Sequence, residues 1–230
     1  NGAMNVIEAA IEKRVKKVVA LSTDKASSPI NLYGASKLAS DKLFVASNSS
    51  YASGHKSRFS IVRYGNVMGS RGSVIPFFFS KKGSEYLPIT DKRMTRFMIT
   101  LNQGVELVWK AFDDMIGGEI YVKKIPSMKI VDIASTIEPN AKFEMIGIRP
   151  GEKLHEEMIS VSDSFYTYEY EDYYKILPAI NNWNLDTERI KDGKLVPDGF
   201  RYTSDNNNQW LEKNVLLEWI ESNKQQIGNI

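Results

Sequence analysis

Val15-Lys16-Lys17-Val18-Val19-Ala20-Leu21-Ser22-Thr23-Asp24-Lys25 is the stretch that decides the fold. Its centre is a short apolar run of the kind shown by strands buried on both faces of a parallel sheet. It then gives way abruptly to hydroxyl and charged groups. Upstream, Val6, Ile7, Ala10 and Ile11 recur at the spacing of one buried stripe, which predicts a helix over Asn5–Arg14. Downstream, Ser27, Ser28, Pro29 and Asn31 break the pattern and supply capping chemistry, so a helix is expected from about Leu32 to Asn48. Phe59-Ser60-Ile61-Val62-Arg63-Tyr64-Gly65 reads as the next strand, ending in a loop with Gly65, Gly69 and Gly72. Strand, helix, strand in this order predicts an α/β fold. In open α/β sheets, ligands bind at the C-terminal ends of strands, here at Ser22-Thr23-Asp24-Lys25.

The alternation continues with a helix expected from about Thr100 to Met115 and a strand at Glu119–Val122. Beyond Pro126 the pattern changes to a helix near Val131, a strand near Phe143, the tyrosine-rich stretch Phe165–Tyr174 and an amphipathic helix from about Trp210 to Asn223. This second half reads as a smaller α+β region. Tyr166, Tyr168, Tyr170, Tyr173 and Tyr174 alternate as in one half-buried strand and are read as packing.

Composition narrows the chemistry. The 230 residues include 42% hydrophobic and 25% charged side chains, enough for a sizeable core. A net charge of +2 gives no broad basic field for nucleic acid or an anionic membrane, and Arg14, Lys16 and Lys17 read as a solvated helix end. The absence of cysteine excludes disulfides, thiolate metal sites and cysteine nucleophiles, and agrees with a cytoplasmic location. His55 and His155 stand far apart in sequence, so no histidine metal site is expected. No apolar run approaches the ~20 residues of a membrane span, and no signal-peptide pattern is visible.

Tyr33 and Lys37 are the first candidates for chemistry. At i and i+4 of a predicted helix they share one face. An ammonium near a phenol favours the phenolate, which can take a proton from a sugar hydroxyl. Alone, Tyr-x-x-x-Lys is an ordinary helix pair. Eight residues after Lys25, with a glycine loop further on, it becomes part of a site.

Leu21-Ser22-Thr23-Asp24-Lys25-Ala26, Asn31-Leu32-Tyr33-Gly34-Ala35-Ser36-Lys37 and Arg63-Tyr64-Gly65-Asn66-Val67 resemble segments of the extended short-chain dehydrogenases/reductases. Gly69–Phe77, Leu87–Asp91, Met94-Thr95-Arg96-Phe97, Arg149-Pro150-Gly151-Glu152-Lys153 and Gly199–Asp205 resemble the C5-inverting UDP-N-acetylglucosamine 4,6-dehydratases of pseudaminic acid and related bacterial glycan pathways. The resemblance spans essentially the whole chain. Related dehydratases that retain C5 configuration carry Asp-Glu where this chain has Asp24-Lys25. Larger membrane-attached relatives carry methionine at the position matching Tyr33.

The resemblance implies the C-terminal portion of a Rossmann-like doubly wound parallel sheet plus a smaller α+β substrate-binding region. Residues 1–70 and about 95–125 would belong to the NAD(P)-binding domain, and about 71–94 and 126–230 to the nucleotide-sugar domain. It implies NADP or NAD as cofactor, UDP-N-acetylglucosamine or a similar UDP-sugar as substrate, and a homo-oligomer. Tyr33 and Lys37 would remove the C4 hydroxyl proton, Asp24 would protonate the departing C6 hydroxyl, Lys25 would be the C5 base, and Thr23 would assist. Ser22, Tyr33, Lys37, Tyr64, Gly65, Asn66 and Val67 would meet the cofactor. Asn66, Arg71, Ser73, Val74, Thr90, Arg96, Arg149 and Glu152 would meet the substrate, the arginines on the diphosphate and Glu152 on ribose hydroxyls. Because neighbours on a strand face opposite ways, Asp24 and Lys25 can serve one sugar only where the chain has left the strand.

One family feature is missing. No Gly-x-Gly-x-x-Gly occurs in the chain, although that turn ordinarily holds the cofactor pyrophosphate. The expectation is that roughly 100 residues of the doubly wound sheet precede Asn1 in the enzyme, and that the 230 residues alone are inactive. Two rival readings share these residues: a UDP-sugar epimerase, which needs Tyr33 and Lys37 but no acid such as Asp24, and a non-catalytic nucleotide-sugar binding fragment.

Overall fold

A computed structural model describes residues 1–50 and 56–224. The chain divides into two compact units. The first comprises Asn1–Tyr64, Asn102–Lys124 and Glu157–Tyr202, and the second Gly65–Leu101, Ile125–Glu156 and Thr203–Ile230.

In the first unit, helix α1 (Gly2–Glu12) buries Ile7 and Ala10 from the predicted stripe. Its exit runs through Arg14 at φ +53°, the left-handed conformation that commonly ends helices. Strand β1 (Lys17–Thr23) follows, then helix α2 (Leu32–Ser50) and strand β2 (Arg58–Tyr64). Asn31 starts α2 by accepting the Gly34 N–H on its side-chain oxygen at 2.8 Å. Near the other end, Asn48 bonds both the N–H and the C=O of Phe59, acting as a surrogate strand for the start of β2.

β1 and β2 pair in parallel from Lys17↔Arg58 to Thr23↔Tyr64, the strand–helix–strand unit expected from the sequence. Strand Ile120–Lys123, preceded by helix Leu101–Asp114, adds in parallel to β2. Phe59, Ile61 and Val62 on β2 are fully buried, as a central parallel strand requires. Each such side chain contributes ~1.5–3 kcal/mol relative to exposure.

The sheet then changes direction. Tyr173–Ile176 pairs antiparallel with Ile120–Lys123, and Thr167–Glu169 pairs antiparallel with Tyr173–Ile176. The tyrosine stretch is therefore a hairpin rather than the single strand expected, because Glu171 and Asp172 turn the chain. Tyr170 and Tyr173 stack across it with centroids 4.4 Å apart. This pairing also places residues 157–202 with the parallel sheet, whereas the sequence division had grouped 126–230 together.

The second unit is an α+β cluster with its own core. Short strands Asn66–Val67, Thr95–Ile99 and Ser127–Lys129 form one small sheet, and Tyr86–Ile89 pairs with Lys142–Met145 in another. Helices Ile130–Ile137 and Lys213–Ser222 bring Ile133, Ala134, Leu216 and Ile220 against Leu87, Ile89, Met94 and Met98. Among the described residues, no helix is long and apolar enough to cross a membrane.

Candidate active site

β1 ends at Thr23, which caps a single 3-10 turn over Asp24–Ala26. The chain thus leaves the strand where the two charged side chains needed it to. Thr23 Oγ1 accepts the Lys25 N–H at 3.4 Å and donates to Asp24 Oδ1 at 2.8 Å. Lys25 Nζ lies 3.0 Å from the same carboxylate oxygen. Asp24 is 0% exposed, and its other oxygen, Oδ2, has no hydrogen-bond partner among the described residues. An unmet buried acceptor costs ~1–3 kcal/mol, and more when charged. The turn therefore holds a standing demand for a donor.

The helix that carries Tyr33 is pressed against this turn. A Cβ built on Gly34 would lie 2.3 Å from the Lys25 carbonyl oxygen and 3.0 Å from Pro29 Cβ, so only glycine permits the approach. Gly34 is the neighbour of Tyr33, and the close contact fixes the first turn of α2 against Asp24–Ala26. Tyr33 is 55% exposed, available to a ligand. Lys37 Nζ, one turn along the same face, donates to the Leu21 carbonyl at 3.1 Å. It ties α2 to the end of β1 and is not hydrogen-bonded to the Tyr33 hydroxyl.

Ser22 departs from expectation. It is 5% exposed and its hydroxyl donates to buried Asp41 at 2.8 Å, so its proton is spent inside the protein rather than on a sugar or cofactor. Tyr64 sits opposite Thr23 in the β1–β2 register, and burial raises its phenol above the ordinary value. Sequence reading missed Gly34, Asp41 and Arg63. The signals were present: Asp41 extends the Tyr33–Lys37 face by one more turn, and Arg63 is a lone charge in an apolar strand.

In the second unit, Gly65 lies against Phe97, where a Cβ would come within 2.5 Å of the Phe97 Cβ. Asn66 and Val67 pair with Met98 and Ile99, and Asn66 Oδ1 is buried without a hydrogen-bond partner among the described residues. Ser73 Oγ is likewise buried and unpartnered, and Val74 opens the helix Val74–Phe79. Arg71 is exposed and precedes Gly72 at φ +71°. Thr90 is half-buried, just after strand Tyr86–Ile89.

Arg96 differs most from its expected role as a diphosphate contact. It is 7% exposed and donates to the carbonyls of Thr95, Leu154 and Lys153 at 2.7, 3.2 and 3.1 Å. Glu152 and Glu156 flank it at 3.5 and 3.6 Å. Its fork is committed to holding residues 152–156. Glu152 also accepts the Arg149 N–H at 3.4 Å, while the Arg149 side chain is exposed. His155 Nδ1 lies 2.8 Å from Thr95 Oγ1, and His55 lies outside the described residues. Among the described residues, no group of three His, Cys, Asp or Glu side chains is arranged to hold a metal. A shallow groove of about 310 Å³ lined by Met128, Asp132, Trp210 and Lys213 contains none of the predicted site residues.

The residues present fit the reactive end of a nicotinamide better than its phosphates. In the second unit, the buried and unpartnered Asn66 Oδ1 suits the N–H of a carboxamide. The chain has no glycine-rich pyrophosphate turn.

Comparison with known proteins identifies the family. Residues 1–178 match the family model described as polysaccharide biosynthesis protein. A Campylobacter jejuni protein named UDP-N-acetylglucosamine 4,6-dehydratase (inverting) is 55% identical over 227 residues, covering 96% of this chain and 68% of that protein. A UDP-glucose 4-epimerase of Rickettsia canadensis is 42% identical over 181 residues, covering 76% of this chain and 52% of the relative. Among solved structures, Pen from Bacillus thuringiensis superposes with a TM-score of 0.83 at 37% identity, over 98% of this chain and 68% of that one. A match over most of the chain, shared by sequence and by fold, places it in the polysaccharide biosynthesis protein family, with proteins named inverting UDP-N-acetylglucosamine 4,6-dehydratase among its relatives.

Proposed function

We propose that this chain carries the proton-transfer machinery of an NAD(P)-dependent UDP-N-acetylglucosamine 4,6-dehydratase, a hydro-lyase that inverts C5. The observation that carries the proposal is the buried Asp24 carboxylate, bonded to both Thr23 and Lys25, with one oxygen unmet. A bound nicotinamide supplies reversible oxidation at C4 and reduction at C6. Tyr33 takes the C4 hydroxyl proton, and Lys37 holds its helix face to the end of β1. With C4 a carbonyl, the C5 hydrogen becomes acidic. Lys25 removes it as Asp24 protonates the departing C6 hydroxyl, and water leaves.

The proton inventory balances within the pair. In the structure Lys25 and Asp24 form an ion pair at 3.0 Å. One proton shifted along that bond turns the ammonium into the amine the base requires and the carboxylate into the acid the leaving group requires. Because Asp24 is closed to solvent, Thr23, half-buried and bonded to it, passes the proton outward. A solvent proton added to C5 from the face opposite to its removal gives the inversion, and the proton Tyr33 took from the C4 hydroxyl returns to solvent, which closes the balance.

In the second unit, exposed Arg149 is the diphosphate contact and Arg96 positions its loop. Glu152 meets ribose hydroxyls, and Thr90, Arg71, Ser73 and Val74 belong to the nucleotide-sugar site. NADP or NAD as cofactor, a cytoplasmic location and a homo-oligomeric assembly belong to the same proposal. The epimerase reading draws on the Rickettsia relative, but an epimerase has no use for an acid at Asp24. Incubating the complete, cofactor-loaded protein with UDP-N-acetylglucosamine and following product mass decides between them. Loss of water is expected; an unchanged mass with a new stereoisomer would establish epimerisation instead.

A further inference from the structure

Behind the Asp24–Lys25 turn lies a buried polar chain that the proposed reaction does not use. Ser22, Asp41 and Arg63 are 5%, 3% and 2% exposed. Ser22 Oγ donates to Asp41 Oδ2 at 2.8 Å, and Arg63 Nη2 donates to the same oxygen at 3.3 Å. Arg63 Nη1 donates to the Met158 carbonyl at 2.8 Å and lies 3.7 Å from Asp163. Ser22 on β1 and Arg63 on β2 face each other in the strand register, and Asp41 projects from α2. Three elements meet at one carboxylate oxygen.

We propose that the Asp41–Arg63 pair is a positioning device, which sets the Asp24–Lys25 turn against the Tyr33–Lys37 face of α2; the proposal rests on the dehydratase reading above. The connectivity carries it. Ser22 is two residues before Asp24, and Asp41 is one helical turn beyond Lys37 and two beyond Tyr33. Lys37 to Leu21 and Asp41 to Ser22 are consecutive bridges between the helix that bears the phenol and the strand end that bears the carboxyl and amine. Both bridges must keep register together, as a single link would not require.

A stabilising role alone explains the pair poorly, since apolar residues of similar volume commonly serve a core as well as a buried ion pair does. Burial pushes the Asp41 carboxyl above its ordinary range, opposed by Arg63, Ser22 and Lys37. The site therefore tolerates a charge that is costly to keep. What the charge provides is direction: a carboxylate oxygen shared by two donors fixes both angles, whereas apolar contact does not.

The test uses the complete cofactor-loaded protein with Asp41→Asn, Ser22→Ala and the double variant. Two readouts are taken: kcat and KM with UDP-N-acetylglucosamine, and amide hydrogen exchange over residues 21–26. If the bridge acts through geometry, each single change lowers kcat roughly 10- to 100-fold with KM within about twofold. The double variant is then no slower than the slower single, and exchange over 21–26 quickens in every variant. Additive losses would overturn the proposal, because Ser22 would then act directly on substrate or cofactor. Unaltered exchange over 21–26, or a rise in KM without a fall in kcat, would also overturn it. Ser22→Ala leaves the Asp41–Arg63 pair intact, so it decides the matter should Asp41→Asn fail to fold. Absence of product from the unsubstituted protein would refute the dehydratase reading, and the exchange comparison alone would then judge the bridge.

Discussion

The Asp24–Lys25 turn of the first unit and the Arg96 cluster of the second are both small spaces crowded with charge, yet they are finished differently. Around Arg96, three carbonyls and two carboxylates meet the guanidinium. At Asp24, one carboxylate oxygen carries two donors and the other carries none. A guanidinium so engaged holds a shape. A buried carboxylate that accepts on one oxygen only costs stability that is recovered when a ligand or a proton arrives. Arg96 is therefore read as scaffolding, and Asp24, beside exposed Tyr33 on the neighbouring helix, as the proposed site of chemistry.

Substitutions that remove each side of the contrast should separate activity from stability. Asp24→Asn keeps the volume but cannot donate as an acid, so dehydration should fall ~10²–10⁴-fold while UDP-sugar binding, followed by calorimetry, is retained. Thr23→Val should approach the same loss if the proton leaves Asp24 through the hydroxyl. Arg96→Met, by contrast, removes the buried guanidinium that Glu152 and Glu156 flank and that three carbonyls accept from, and should cost ~3–5 kcal/mol in denaturant unfolding. An Arg96→Met protein as stable as the parent would show that the cluster is not scaffolding.

Gly34→Ala should fall between the two classes. Its Cβ has 2.3 Å to the Lys25 carbonyl, so helix or turn must move, with a stability cost of ~1–3 kcal/mol. A larger relative loss in kcat than in UDP-sugar affinity is expected, because the displacement falls on Tyr33 and Lys25. The smallest effect lies at the surface. Hydrogen bonds from Arg93 hold Asp91 at about 2, below the ordinary 3.8. A depressed carboxylate contributes its stability above the unfolded value and loses it as pH falls through the folded one. The contribution of Asp91 should thus fade between roughly pH 4 and 2, shrink with Arg93→Ala, which leaves only the bond from the residue 93 backbone N–H, and weaken with salt, as carboxyl NMR titration would show.

Much of the first unit was legible in the sequence because periodicity and punctuation speak locally. The run to Ser22, the break at Ser27–Asn31 and the apolar strand from Phe59 determine a strand–helix–strand unit, and the i,i+4 spacing of Tyr33 and Lys37 fixes their common face. Partners distant in sequence left no such trace. Two of the three carbonyls that engage Arg96 lie 57 and 58 residues later, so an arginine suited to phosphate could not be told from one that holds a loop. The tie from Ser22 to Asp41 left no trace for the same reason, since its acceptor sits 19 residues on, inside α2. The tyrosine hairpin was hidden because alternation looks the same on either side of a tight turn. Gly34 carried only the absence of a side chain, whose meaning depends on what stands opposite.

The most direct test of the division of labour at the Asp24–Lys25 turn is turnover of UDP-N-acetylglucosamine in deuterated water, with product mass and C5 isotope content read together. The complete protein should release water and place deuterium at C5 with inverted configuration. Asp24→Asn, which also takes from Lys25 the carboxylate that accepts its proton, should lose almost all water release and slow C5 exchange with it, and Lys25→Met should neither release water nor exchange the C5 hydrogen. Water loss by Asp24→Asn at the parental rate, or C5 exchange by Lys25→Met at the parental rate, would contradict the assignment of acid and base made here.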